Sequence, residues 1–181
     1  VDACAGGQIL GQPASSQAPL PFPFTLFGVT TPSVVIGARG TLTMGSEAPA
    51  ISATNTAIPS AAAPWTTIFA FWDDVVYGGA GSALCTATLG AAPNRRFVVT
   101  WKDMDFGAAG DAGAHLTFSA LLSEGSDKID LVYPQMTGPT PRAAGSSATV
   151  GLQNESRTVA AGAFNTAGFG SGEAYSLIPH P

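Results

Sequence analysis

Glycine and proline interrupt this chain too often for long helices to form. The sequence contains 22 glycines and 14 prolines among 181 residues. Both residue types destabilise a helix interior and both mark turns. Many of the short segments between them are rich in Val, Ile, Phe and Thr, which favour strands. The spacing therefore predicts an all-β protein and argues against a helical bundle.

Alternating hydrophobic residues indicate the individual strands. In 96–102, 114–122 and 128–133, apolar residues recur at every second position, which is typical of a strand with one buried face. The turn at 124–127 predicts that the last two strands form a hairpin. The segment 66–72 is apolar on both faces, as in a central strand covered on both sides. About ten short strands joined by long loops predict an antiparallel β-sandwich.

The chain divides into an N-terminal arm and one domain. Residues 1–18 are small and polar, with Ile9 and Leu10 as the only large apolar pair. They predict an extended arm or one short strand. Residues 19–181 carry the strand pattern of a single β-sandwich domain. Three prolines between residues 19 and 23 lack N–H donors, so we expect this strand at a sheet edge.

Charge and composition exclude several classes of protein. Seven cationic and twelve acidic residues give a net charge of −5, so there is no basic footprint for nucleic acid. No apolar run approaches the roughly 20 residues of a membrane helix, and membrane insertion is not expected. Charged residues make up 10% of the chain, against about 25% in an average domain. A surface so poor in charge is easily desolvated, which predicts association with copies of the same chain.

The two cysteines and the first residue point to an extracellular compartment. The chain starts at Val1 and its first methionine is Met44, which we interpret as the mature product after removal of a secretory signal. A fragment of a longer protein would look the same. Cys4 and Cys85 then predict one disulfide. Two unrelated buried thiols are the alternative, and too few ligands exist for a structural zinc site.

Candidate catalytic residues are scarce, and the sequence predicts that the protein is not an enzyme. A hydrolase triad needs a histidine between a carboxylate and a nucleophile. Of the two histidines, His180 is penultimate and His115 lies on the predicted solvent face of a strand. The adjacent Asp73 and Asp74 would point to opposite faces of a strand end, which suits a turn better than a pair of catalytic acids.

Clustered aspartates make calcium the one cofactor that the sequence suggests. Asp103, Asp105 and Asp111 supply three carboxylates within nine residues, and calcium prefers oxygen ligands. A second set would be Asp73 with Asp74. The spacing is not that of an EF-hand, so a plain acidic turn is the favoured alternative and no cofactor is the main expectation.

Ordered motifs resemble the nidogen-like domains of secreted bacterial proteins. The segments L-P-F-P-F-T-L-F-G, F-A-F-W-D-D and R-R-F-V-V-T-W are similar to strands of that family, and further blocks follow in register. The matching blocks lie at 20–28, 33–36, 40–45, 69–74, 94–101, 121–129 and 148–154. One departure is Arg39-Gly40, where the family has Asn-Gly. The resemblance implies a β-sandwich with a supporting extracellular role and no catalytic residues.

The sequence is compatible with two functions. The first is a secreted structural or adhesive protein that self-associates into an extracellular assembly, such as a filament, with Ile9 and Leu10 adding a strand to a neighbour's sheet. The second is a monomeric module that binds a glycan or a matrix protein through loop aromatics. The candidate contact residues are Trp65, Tyr77, Phe106, Phe164 and Phe169.

Overall fold

A computed structural model describes residues 1–46, 51–63, 65–158 and 160–179. In this part of the chain there are thirteen strands and no α-helix, only two short 3-10 turns at Ala109–Asp111 and Pro141–Ala144. The strands are β1 (Gln8–Gly11), β2 (Ser15–Leu26), β3 (Val29–Gly37), β4 (Thr41–Met44), β5 (Thr67–Trp72), β6 (Val75–Tyr77), β7 (Ala83–Leu89), β8 (Arg96–Phe106), β9 (His115–Ser123), β10 (Ile129–Thr137), β11 (Thr149–Gln153), β12 (Ala160–Phe164) and β13 (Glu173–Leu177).

The strands form two antiparallel sheets that pack face to face. A seven-stranded sheet has the order β1-β7-β8-β9-β10-β13, with β6 also paired to β8. A six-stranded sheet has the order β12-β11-β5-β4-β3-β2. The predicted antiparallel sandwich is confirmed. The strand count exceeds the expected ten or so partly because β6 is very short, and because the A-A-G-A-F sequence of β12 shows no alternation to reveal it.

Side chains from both inner faces form the main core. The predicted alternation is confirmed in β8 and in the β9–β10 hairpin, whose inward residues are buried. Trp101 stacks on Phe118 with ring centroids 5.1 Å apart. Tyr133 donates its buried hydroxyl to the carbonyl of Ala70 across the sandwich at 2.7 Å. This bond satisfies the only polar group of a ring that otherwise fills the core.

Strand β5 is buried on both faces, as its sequence predicts. One face contributes to the main core. The outer face presents Phe69 and Trp72, which stack at 5.1 Å. The connection at 51–63 covers them, and Trp72 donates its indole N–H to the carbonyl of Ser52 at 2.8 Å. The fully buried amide of Gln153 anchors the same connection by accepting from the backbone N–H of Ser60 at 2.8 Å.

Strands near the two chain ends form the edges of the sandwich at its two lateral sides. At one side β1 is the edge of the seven-stranded sheet and β2 the edge of the six-stranded sheet; at the other side the edges are β13 and β12. The expected edge position of the proline-rich strand is confirmed, and the β2–β3 register shifts between Pro19 and Phe24. Residues 1–18 contribute β1 and the first four residues of β2.

Candidate functional site

The acidic pair after β5 is held by two arginines. Asp73 is 3% exposed and accepts a hydrogen bond from Nη2 of Arg142 at 2.7 Å. The same guanidinium donates through Nη1 to Asp111 at 2.6 Å and lies 4.3 Å above the ring centroid of Phe106. This hydrogen bond from Arg142 lowers the pKa of Asp111. One arginine on the Pro141–Ala144 turn therefore joins three loops at one end of the sandwich.

Asp74 faces a different cation. It forms an ion pair with Arg39, which lies in the turn between β3 and β4. In that turn Gly40 has a φ of +77°, and Arg39 is not among the residues with positive φ. The departure from the family's Asn-Gly turn is therefore tolerated because glycine alone takes the left-handed position.

The remaining predicted calcium ligands are engaged separately. Asp103 contacts Nδ1 of His115 at 2.7 Å. Burial raises the pKa of Asp105, but N–H groups of Gly113, Phe106 and Ala114 outweigh it and lower that pKa. In the described residues, no three or more His, Cys, Asp or Glu side chains are grouped so that they could hold a metal ion. The structure brings the five aspartates into ion pairs and turns, not into a common ligand set.

His115 lies on the exposed face that the sequence predicts. Its ring contacts Asp103, while the nearby hydroxyl of Ser82 donates to the main-chain carbonyl of Asp103 and not to the imidazole. The arrangement therefore lacks the nucleophile–base hydrogen bond of a hydrolase triad. His180 lies outside the described residues.

The five predicted contact aromatics are dispersed. Phe106 and Phe169 are buried, and Phe169 packs against Tyr133 and Tyr175. Trp65 and Tyr77 are half-buried, and Phe164 on β12 is 41% exposed. No ring–ring contact joins two of the five within the described chain.

Tyr77 lines a concave site on the outer side of the six-stranded sheet. The cleft has a volume of about 440 Å³ and also contains Val35 and Arg39. The hydroxyl of Tyr77 donates to the carbonyl of Pro13, and burial raises its pKa to about 12. The hydroxyl is therefore used internally, and the ring is the part left for a ligand.

The N-terminal segment is fastened to the outer face of the seven-stranded sheet. The predicted disulfide is confirmed: Cys4 and Cys85 are bonded, with Cα atoms 5.1 Å apart. The N–H of Ala3 donates to Oγ1 of Thr100 at 3.0 Å. These contacts place the arm on its own molecule, where β1 pairs with β7.

The two predicted arm residues face different ways. Leu10 packs against the main core, whereas Ile9 is 65% exposed. Ile9 therefore leaves an apolar side chain on the edge strand of the sheet.

Beside β1 the sandwich is open. β1 pairs with β7 only as far as Thr86, so the last residues of β7 extend beyond it. The resulting lateral cleft has a volume of about 550 Å³. It is lined by residues 1–3 and 5–8 of the N-terminal segment, 18–21 of β2, 86–89 of β7, and Phe97 of β8.

The opposite side, the C-terminal edge, comprises β12, β13 and Ile178. The side chains of β12 and β13 are largely exposed, and Ile178 directly after β13 is 58% exposed. The sequence predicts that residues 19–181 form the sandwich, but it does not single out Ile178 as a surface feature. The available signal was an uncharged A-Y-S-L-I segment next to the end of the fold.

Comparison with protein families gives one match, which spans most of the chain. The family is described as NIDO related, and its model matches residues 7–174. No curated protein and no solved structure matches the chain. In the described residues, no helix is long and apolar enough to cross a membrane.

Proposed function

Because the chain belongs to the NIDO-related family, we propose that it is a non-catalytic extracellular structural protein that binds copies of itself. Family membership and the Cys4–Cys85 disulfide indicate an extracellular protein. The proposal that the chain binds copies of itself is supported by apolar side chains on its surface. The absence of catalysis is supported by the use of Asp73, Asp74 and Arg142 in ion pairs that fix loops.

Apolar side chains on open sheet edges are the observation that carries self-association. Ile9 on β1, Phe164 on β12 and Tyr175 on β13 are among the large hydrophobic residues left exposed. Proteins normally guard such edges with charge or proline. β1 and β12 contain neither, and β13 has a single acidic residue at its start. Unpaired backbone groups next to apolar side chains favour strand addition.

Sedimentation velocity of the purified chain over a wide concentration range tests this function. We expect the mean sedimentation coefficient to rise with concentration and to persist at high salt, because the proposed contacts are neutral. The oxidised state must be kept, since the N-terminal segment depends on its disulfide. A monomer at every concentration would contradict the proposal.

A monomeric binding module is the second candidate, and the 440 Å³ cleft beside Tyr77 favours it. Aromatic faces stack on sugar rings, and the hydroxyl of Tyr77 is already bonded to Pro13. A glycan array with the wild type and Tyr77→Ala tests this reading. Binding by a monomer that is lost in the variant would favour it over self-association. Repeating the array with calcium and with a chelator tests the calcium prediction.

A further inference from the structure

We propose that copies join head to tail, with β13 and Ile178 of one copy entering the lateral cleft of the next. The incoming strand would lie antiparallel to β1 and extend the seven-stranded sheet from one molecule into another. This inference rests on the proposed function, because it assumes that the chain self-associates. Beyond self-association, we propose which two surfaces of the molecule meet and which symmetry the assembly has.

Strand direction makes the two edges compatible. The path β1-β7-β8-β9-β10-β13 contains six strands, and each neighbouring pair is antiparallel. β1 and β13 therefore run in opposite directions. A second copy displaced along the sheet in the same orientation presents its β1 antiparallel to β13 of the first. A ladder of ordinary geometry then continues across the junction.

The rows of residues paired across the sheet also show how far β1 and β13 extend along the strand direction. One row crosses the sheet from Gln8 to Tyr175 through Thr86, Val99, Ala120 and Leu131. A lower row crosses from Thr88 to Leu177 through Phe97, Leu122 and Ile129. β1 begins at the upper row and does not reach the lower one. Thus the end of β13 lies level with the gap that β1 leaves beside β7.

The cleft and the incoming segment match in chemistry. Ala18, Leu20 and Phe97 supply apolar lining. The one charged side chain that lines the cleft is Asp2, and its carboxylate is paired with Nζ of Lys102 at 3.1 Å. Glu173 at the start of β13 is the one charged residue of the incoming strand, and the segment that follows, from 174 to 178, is uncharged, so this segment would carry no unpaired charge into the cleft. Ile178 would bury an apolar side chain that is 58% exposed in the single molecule.

On the same side, β2 is the edge of the six-stranded sheet, and its sequence hinders strand addition. β2 contains three prolines, at positions 19, 21 and 23, which cannot donate to a ladder. Strand addition is therefore directed to the seven-stranded sheet. Because the two surfaces differ and lie on opposite sides, each docked copy leaves one of each free. A head-to-tail contact of this type produces an open filament, and the twist of the sheet makes it helical.

Two exposed positions allow the interface to be blocked from either side. Ile178→Lys places a charge directly after the incoming strand, and Thr88→Arg fills the lip of the lateral cleft. Val29→Lys, at the end of the β2–β3 hairpin, is the control, since it replaces an apolar residue that is 40% exposed. Circular dichroism and thermal melting verify that all three variants fold.

Sedimentation velocity of the variants, alone and mixed, gives the decisive result. We expect each blocked variant to associate at least about tenfold more weakly than the wild type, because a charge must be desolvated. The control should assemble normally. An equimolar mixture of Ile178→Lys and Thr88→Arg should give a discrete 1:1 dimer, because each retains the surface that the other lacks.

Two results would overturn the head-to-tail arrangement while leaving self-association in place. One is assembly of both blocked variants at wild-type strength. The other is a discrete dimer of Thr88→Arg alone, which indicates a symmetric contact between two β13 strands. A wild type that stays monomeric would instead remove the proposed function itself, and this inference with it.

Discussion

Replacing Arg142 by methionine tests how much the ion pair with Asp73, in the acidic pair after β5, stabilises the fold. In the wild type, the Arg142 guanidinium neutralises Asp73, which is 3% exposed. Methionine keeps the contact with the ring of Phe106 but removes the charge and every donor. A buried carboxylate left without its cation typically costs about 3–5 kcal/mol. For a chain of this size, that corresponds to a fall in Tm of roughly 6–20 °C.

Urea unfolding followed by tryptophan fluorescence measures this loss, since Trp72 and Trp101 are fully buried and become exposed on unfolding. Lys128→Met is the matched control. Lys128 pairs with Asp130 at 2.9 Å, but the lysine side chain is 40% exposed, so its removal should cost about 0–1 kcal/mol.

The double variant Asp73→Asn, Arg142→Met separates charge from packing. Because it removes the buried charge together with its partner, we expect it to be more stable than Arg142→Met alone. If the free energy of unfolding of Arg142→Met lies within about 1 kcal/mol of that of the Lys128→Met control, the buried pair contributes no more than an exposed one and the expected loss is refuted.

Three further predictions concern single features. Cys4→Ser opens a disulfide with a sequence separation of 81 and should cost about 4–5 kcal/mol in the chain-entropy model; an unchanged urea midpoint would contradict it. Gly40→Ala should cost about 2–4 kcal/mol by urea unfolding, because it combines a positive φ with a clash against the β5 backbone. Gly45→Ala, with positive φ and open space, should lose only about 1–2 kcal/mol; equal losses would refute the clash. Hydrogen bonds from Arg95 lower the pKa of Glu124 from 4.5 to about 2, so the stability that this pair provides should be present above pH 4.5 and disappear as the pH falls toward 2. Melting curves of the wild type and Arg95→Met should therefore converge on acidification, and a constant difference in Tm would be the contrary result.

Local patterns were sufficient to predict most of the sandwich. The β9–β10 hairpin follows from alternation on both sides of one turn, and its inward residues Ile129 and Leu131 are buried. β5 follows from an apolar run too short for a helix. β12 escaped prediction because its small side chains carry no periodic signal and it is held by pairing with β11.

The candidate site depends on contacts that a single sequence does not reveal. Asp73 was recognised as part of a motif, but its partner Arg142 lies 69 residues away on a turn. Likewise, the lateral cleft exists because β1 stops short of the end of β7, which depends on strand register. The disulfide was within reach of prediction because only two cysteines were present.

Negative-stain electron microscopy of the oxidised wild-type protein shows whether the chain self-associates through its open sheet edges. We expect filaments one molecule wide that lengthen with protein concentration and are absent for Ile178→Lys. A field of isolated single particles at every concentration, with the chain verified as folded and disulfide-bonded, would contradict it.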